Sequence, residues 1–458
     1  MRKPFIILFI YISCAGISEA QNAQMISPAG ASYIDPEFLS SENKMAFQTT
    51  GGYVWLSDLD PFSGLPVTPT GLDILIDTGA TPLIISINGP EFGTDQNGWS
   101  VFYTKPNGSN PQTWRADYNG TTVTRTPLTA GNDSRLSALA TKAPGSDGIR
   151  LLYSVGPSLS NGQMAWTDED SPADETVVDS ADNGVRWIDG TRSFVYIKQT
   201  GTDAGQLFFY DTETQNEIML TNDTETKTYS YGWYASEYDN ELLVLAVLND
   251  TAFGIYKDTG GQFWEKIMTI PVPPLSSFDY IGSPEPFVAG GKSYISFVTK
   301  VVATGSFYVQ AEVWVTGIEQ DTGQQFMLRC DDGAANTKRT DPESFIGDEE
   351  VFIYYNVVNE NGKFEIWRYA TGIPVNTTDI NDQLSEYLPV IYPNPVTDRI
   401  HINNTGSMIK SVRLYNARGQ LIREYYSNDL TVEDLSQGMY ILKIQTEKTV
   451  YLRKLVKQ

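Results

Sequence analysis

The chain has 458 residues, 41% of them hydrophobic and 19% charged, with 26 Tyr and 9 Trp. That is enough apolar material for a large core, and it excludes an intrinsically disordered chain. The net charge of −24 argues against nucleic acid or an anionic lipid surface as partner, because both need Lys and Arg to displace counterions.

The first residues read as an export signal. Arg2 and Lys3 precede an apolar run at 5–17, and Ser18-Glu19-Ala20 offers small residues at the cleavage positions. A signal peptide over residues 1–20 is expected, since the run is too short to span a bilayer. No other run reaches the roughly 20 apolar residues of a membrane helix, so no transmembrane segment is expected. Tyr11-Ile12-Ser13-Cys14 makes a poor lipobox because its first position is aromatic. With Cys14 removed, Cys330 is the one remaining cysteine, read as a small buried hydrophobe in a strand.

A repeat organises the body. "DPEFLSSENKMAFQTTGGYVWLSD" (35–58) returns in altered form at 89–117, 283–300 and 341–369, with weaker copies at 134–168, 185–211 and 231–258. Each copy runs from a short apolar strand through a Gly/Asn/Asp/Ser turn to a β-branched and aromatic strand. A second turn then leads to a strand with an aromatic marker. The markers are Trp55, Trp114, Trp166, Phe208, Tyr256, Trp314 and Trp367. Where Trp follows Trp by one repeat the spacing is 59, 52 or 53 residues, the size of a four-stranded unit. The markers are read as packing residues. Such a unit cannot bury both faces alone, and radial stacking solves this. The prediction is all-β: a seven-bladed β-propeller over residues 28–378, with six or eight blades as alternatives. The repeats resemble the TolB-type propeller family, which carries a Pro near the first strand and an aromatic before Asp. Its Ser-Pro-Asp-Gly-like turn is degenerate here ("LSSENK", "GTDQNG", "VAGGK", "IGDEE"). That resemblance implies architecture and no activity.

A polar linker at 379–387 leads to a small module at 388–458. Pro393 and Pro395 force a turn, and short alternating strands follow, which predicts a small Ig-like β-sandwich. Four pieces occur here in order: Tyr392-Pro393-Asn394-Pro395, Leu414-Tyr415-Asn416-Ala417-Arg418-Gly419, Leu435-Ser436-Gln437-Gly438-Met439-Tyr440 and Lys454-Leu455-Val456-Lys457. They closely resemble the C-terminal sorting domain of type IX secretion in Bacteroidota. The resemblance implies passage across the outer membrane, type IX machinery as a partner, and a secreted or surface location. Residues 391–458 hold 10 Lys/Arg against 6 Asp/Glu, so the module is basic and the body is acidic, as expected for a detachable part with its own partner.

The only histidine, His401, lies in that module. The body therefore lacks Ser-His-Asp machinery, His-rich zinc sites and a His base for polysaccharide lyase chemistry, which leaves a Tyr base open. Carboxylates remain. Pro36-Glu37, Pro90-Glu91, Pro284-Glu285 and Pro342-Glu343 place a Glu at one repeat position in four units. Arg186, Trp187 and Trp233 occupy similar places in two others. If first strands line a central channel, Glu37, Glu91, Arg186, Trp187, Trp233, Glu285 and Glu343 form a ligand-binding site for a glycan or a protein. The bland alternative is that each Pro-Glu merely starts a strand. The expected role is binding without catalysis. The alternatives are a glycoside hydrolase using two of the four Glu, whose carboxylates must lie about 5–9 Å apart, and an envelope scaffold. No cofactor or metal is expected. Asp168-Glu169-Asp170 and Asp348-Glu349-Glu350 could hold Ca²⁺ but lack calcium-loop spacing and read as solvated turns. Asp179-Ser180-Ala181 and Asp250-Thr251-Ala252 resemble the O-glycosylation triplet of the same bacteria.

Overall fold

The computed structural model describes residues 22–28, 30–68, 73–82, 88–157, 162–178, 182–200, 204–302, 308–321, 324–376, 390–392, 396–403, 409–416, 421–446 and 450–457. The expected signal peptide with Cys14, the linker, Asp179-Ser180-Ala181, Pro393–Pro395 and Ala417–Gly419 lie outside the described residues. The chain divides into two units, Met1–Asn376 and Thr377–Gln458. Among the described residues there is no α-helix, and no helix is long and apolar enough to cross a membrane.

The first unit is a propeller-type ring. Its described residues form seven four-stranded antiparallel sheets. Six are consecutive meanders, in which each strand pairs with the next in the chain. Asn249 and Asp250 make one of the turns: both sit at positive φ (49° and 60°) between Glu241–Leu248 and Ala252–Lys257. The second strand of each sheet is apolar on both faces, as in "ELLVLAVL" at Glu241–Leu248, since it is covered on both sides. The outermost strand, as in Glu265–Pro271, is mostly exposed and correspondingly polar.

Each sheet shares a buried core with the next. Phe92, Val101 and Tyr103 of the second sheet pack on Ala46, Val54 and Leu56 of the first. Phe102 meets Leu151 and Ala165 of the third. The series continues through Trp166 with Phe194, Val195 with Val244, Phe253 with Phe297 and Val313 with Ile353. Phe345 and Phe352 of the seventh sheet then pack on Phe38 and Phe47 of the first, which closes the ring. The seven innermost strands touch their neighbours in the same cyclic order. All seven aromatic markers lie on third strands.

The seventh sheet is completed by the N-terminal strand Ala23–Met25, whose Met25 pairs with Trp367 and Ala23 with Tyr369. A body starting at residue 28 leaves this strand out; three residues, "AQM", are too short to show a period. Ser27 continues the join by accepting the Ile366 amide at 3.1 Å.

Three of the four Pro-Glu positions are not strand starts; only Glu91 begins its strand. The register of the inner strand shifts between Ile34 and Glu37, between Gly282 and Glu285, and between Thr340 and Glu343. The residue before each Pro sits in the left-handed region: Asp35 at 57°, Ser283 at 43° and Asp341 at 59°. Each is a β-bulge that re-aims the following side chains. A non-glycine residue there costs about 1–2 kcal/mol. Asp35 recovers part of this, because its amide donates to Asn356 Oδ1 at 3.0 Å and its carboxylate accepts the Gly89 amide.

In the second unit, two sheets of three and four strands share one buried cluster that includes Ile400, Ile402, Leu414, Leu430 and Leu442.

Gly93 marks a tight junction. A Cβ there would lie 2.6 Å from the Phe102 ring, 2.8 Å from Ile149 and 2.9 Å from Ala140. Gly93→Ala is expected to destabilise the ring by about 1–3 kcal/mol through overpacking. Urea unfolding checks this, and an unchanged midpoint would contradict the stated packing.

Candidate functional site

All seven inner strands contribute to a central cavity of about 730 Å³. Glu37, Glu91, Glu285 and Glu343 line it together with Arg186, Trp187 and Trp233. The bulges explain the convergence, since they put Glu37, Glu285 and Glu343 on the cavity side of their strands. Glu91 opens its inner strand directly after Gly89-Pro90.

The two tryptophans contribute less than full stacking faces. Trp187 is 8% exposed and Trp233 is 7% exposed. Their indole N–H groups donate to Leu139 O at 3.1 Å and to Ser293 Oγ at 2.9 Å. Phe194 stands edge-on to Trp187 at 5.4 Å. Both rings are therefore walls of inter-sheet cores.

Sequence reasoning missed Asp35, Asp341, Lys142, Asp189, Tyr229 and Tyr231, which also line the cavity. A signal for two of them existed: Asp-Pro-Glu stands at both 35–37 and 341–343. Lys142 and Tyr229 belong to no motif and reach the cavity only through folding.

The electrostatics are those of crowded acids. Burial, followed by the Glu91 carboxylate, holds Glu37 well above the ordinary carboxyl range. Burial followed by Glu37 does the same to Glu343. Burial raises Glu91 to about 7 against the pull of Lys142 and Arg186. It raises Glu285 to about 7 against Arg186 and the Tyr231 hydroxyl. Tyr231 donates to Glu285 Oε1 at 2.5 Å, and the Arg186 guanidinium lies 5.3 Å from the centre of the Tyr231 ring. Burial pushes the Tyr231 hydroxyl well up, which makes it a hydrogen-bond donor and a poor base. The Asp35 carboxyl, raised by burial and then by Asp341, hydrogen-bonds to Asp341.

Other expected features have local roles. Glu169 accepts Arg115 Nη1 at 2.7 Å and the Ile149 amide at 3.1 Å. Asp168 accepts Arg150 Nε at 2.7 Å. Glu350 accepts the Gly372 amide at 2.7 Å. Among the described residues, no group of three or more His, Cys, Asp or Glu is placed to hold a metal ion. Cys330 is a buried free thiol. Thr251 is exposed on its hairpin turn. His401 Nδ1 lies 2.7 Å from Asp429 Oδ1 in the second unit.

Residues 390–458 match the family described as "Secretion system C-terminal sorting domain". The protein is exported by type IX secretion. Its C-terminal unit carries the interaction with that machinery, and the protein is secreted or displayed at the outer surface. No curated protein matches the chain. Among solved structures, the chain is similar to the β-propeller domain of Cps50 (Swd1) from Myceliophteria thermophila, at 13% identity and TM-score 0.44, covering 75% of this chain and 99% of that one. It is also similar to a prolyl endopeptidase, at 9% identity and TM-score 0.43, covering 94% of this chain and 56% of that one. A third is TolB from Acinetobacter baumannii, at 12% identity and TM-score 0.34, covering 72% of this chain and 79% of that one. At such identities no activity passes from them to this chain.

The raised carboxyls set a pH dependence. Glu91 and Glu285 ionise near 7 when folded, against an ordinary 4.5. Between those values the folded state binds more protons than the unfolded chain, so their contribution to stability falls as pH rises through the window. Glu91→Gln with Glu285→Gln should therefore gain melting temperature over the natural protein at about pH 8 and lose that advantage at about pH 4. Thermal melts across this range check it, and a gain largest at low pH would contradict it.

Proposed function

We propose that the protein is an exported seven-bladed β-propeller that binds a glycan or a protein segment in its central cavity, without catalysis. In this reading a signal peptide at residues 1–20 starts export in a Bacteroidota cell. The C-terminal unit, a small Ig-like β-sandwich, completes it. The convergence of Glu37, Glu91, Glu285 and Glu343 on one cavity with Arg186 carries the reading. Carboxylates accept hydrogen bonds from sugar hydroxyls or peptide amides, and Arg186 and the tyrosine hydroxyls donate. Four of the repeats each supply one of these Glu, so a ligand of several polar groups can be held from several sides.

A second reading, a glycoside hydrolase, draws on Glu91 and Glu285 lying near 7. One carboxyl can then stay protonated as acid while another is ionised. An envelope scaffold would instead show co-purifying proteins and no occupant of the cavity.

Glu37→Gln, Glu91→Gln, Glu285→Gln and Glu343→Gln combined should weaken retention on a glycan array or protein panel by about tenfold or more, with a melting temperature no lower than that of the natural protein. Unaltered retention would count against the cavity as the site. Incubation of the natural protein with a broad polysaccharide panel should release neither reducing ends nor ultraviolet-absorbing unsaturated ends. Release that Glu91→Gln or Glu285→Gln abolishes would establish the hydrolase reading in its place.

A further inference from the structure

We infer that the central cavity takes an organic cation, a ligand whose protonated amine sits against Glu91 and is shared with Glu37 and Glu343. This rests on the cavity being the binding site and adds the charge of what it binds.

Seven carboxyl side chains line the cavity against one lysine and one arginine. Most of these groups are already engaged. Arg186 covers the Tyr231 ring, and Tyr231 holds Glu285. Asp35 and Asp341 hydrogen-bond each other. Glu91 is different. It is 8% exposed, it faces the cavity, and no described residue gives its carboxyl a hydrogen bond or a contact ion pair; Lys142 and Arg186 attract it, and Asp341 and Asp189 repel it, only through space. For Glu37 and Glu343 too, burial and the surrounding charges are the largest influences, and no described residue gives either carboxyl a hydrogen bond.

A buried carboxylate without a partner is costly, and either a proton or a cation relieves it. Burial shifts these groups toward the protonated form, so a cation that binds here competes with a proton. An anion would add repulsion, and a neutral hydroxyl would leave the charge uncompensated. The described residues form no metal cluster. An alkylammonium group meets the need with three donors and a single charge. The aromatic lining suits its carbon body: Tyr308 remains 42% exposed, and Arg186 over Tyr231 shows the rings already accepting a cation.

Entry of the amine displaces protons from the carboxyls, so binding releases protons and strengthens as pH rises from about 6 to 8. Each proton released makes the affinity about tenfold higher per pH unit. Calorimetry on the exported chain uses four probes: spermidine, Nα-acetyl-lysine methylamide, its Nε-acetylated counterpart and neutral tri-N-acetylchitotriose. Spermidine or the lysine derivative should bind with proton release, read from two buffers of different ionisation enthalpy. Acetylating the amine should weaken binding at least about tenfold, and Glu91→Gln should do the same while melting no lower than the natural protein. Preference for spermidine identifies free polyamines as the source, and preference for the lysine derivative identifies a lysine side chain; either supports the inference. Equal binding of the amine and its acetylated form overturns it. Capture of the neutral sugar alone, lost in the four-Gln variant, also overturns it but leaves the cavity as the binding site. Binding of no probe, with no array ligand, removes both.

Discussion

A four-stranded antiparallel sheet has two apolar faces and can bury them only between two other sheets. Everything in the first unit depends on that constraint. The described sheets satisfy it by sharing a core at each of seven junctions, the last formed by Phe345 and Phe352 against Phe38 and Phe47. Closure uses both ends of the unit: Ala23–Met25 completes the sheet that ends the repeat series. The second strands carry apolar residues on both faces for this reason, and Gly93 is glycine because Phe102, Ile149 and Ala140 crowd one junction.

Closing the ring forces the innermost strands together around a space that their own side chains must fill. The protein fills it with charge. Bulges at Asp35-Pro36, Ser283-Pro284 and Asp341-Pro342 hold non-glycine residues in the left-handed region and direct glutamates inward. Strained backbone and crowded acids both oppose stability. The packed junctions between sheets offset that cost, since each fully buried aromatic or aliphatic side chain contributes about 1.5–3 kcal/mol. Burial and mutual repulsion together push the carboxyls of this cavity above their ordinary range.

Much of the architecture was legible because it is periodic. The seven aromatic markers all fall on third strands, since each repeat solves the same packing problem with the same kind of residue. The Pro-Glu positions were visible for the same reason. Asp35 and Asp341 stood beside them in plain text, yet their bulges and their mutual hydrogen bond were not legible: left-handed φ before proline leaves no compositional trace. The N-terminal strand was illegible because three residues carry no period. Trp187 and Trp233 were read as ligand-binding residues, but a one-dimensional pattern cannot say which face of an indole a neighbouring sheet has already covered.

By itself the sequence determined the export route and the repeat. Sorting is read from a contiguous stretch at 390–458, and a repeat needs only local hydrophobic alternation. The tertiary structure alone decided that residues as distant as Glu37 and Glu343 share one cavity, that Lys142 and Tyr231 join them, and that no described residue hydrogen-bonds the Glu91 carboxyl. Those are properties of a closed ring. Proximity across several hundred residues and the loss of water from a charged side chain arise only when the last sheet packs against the first.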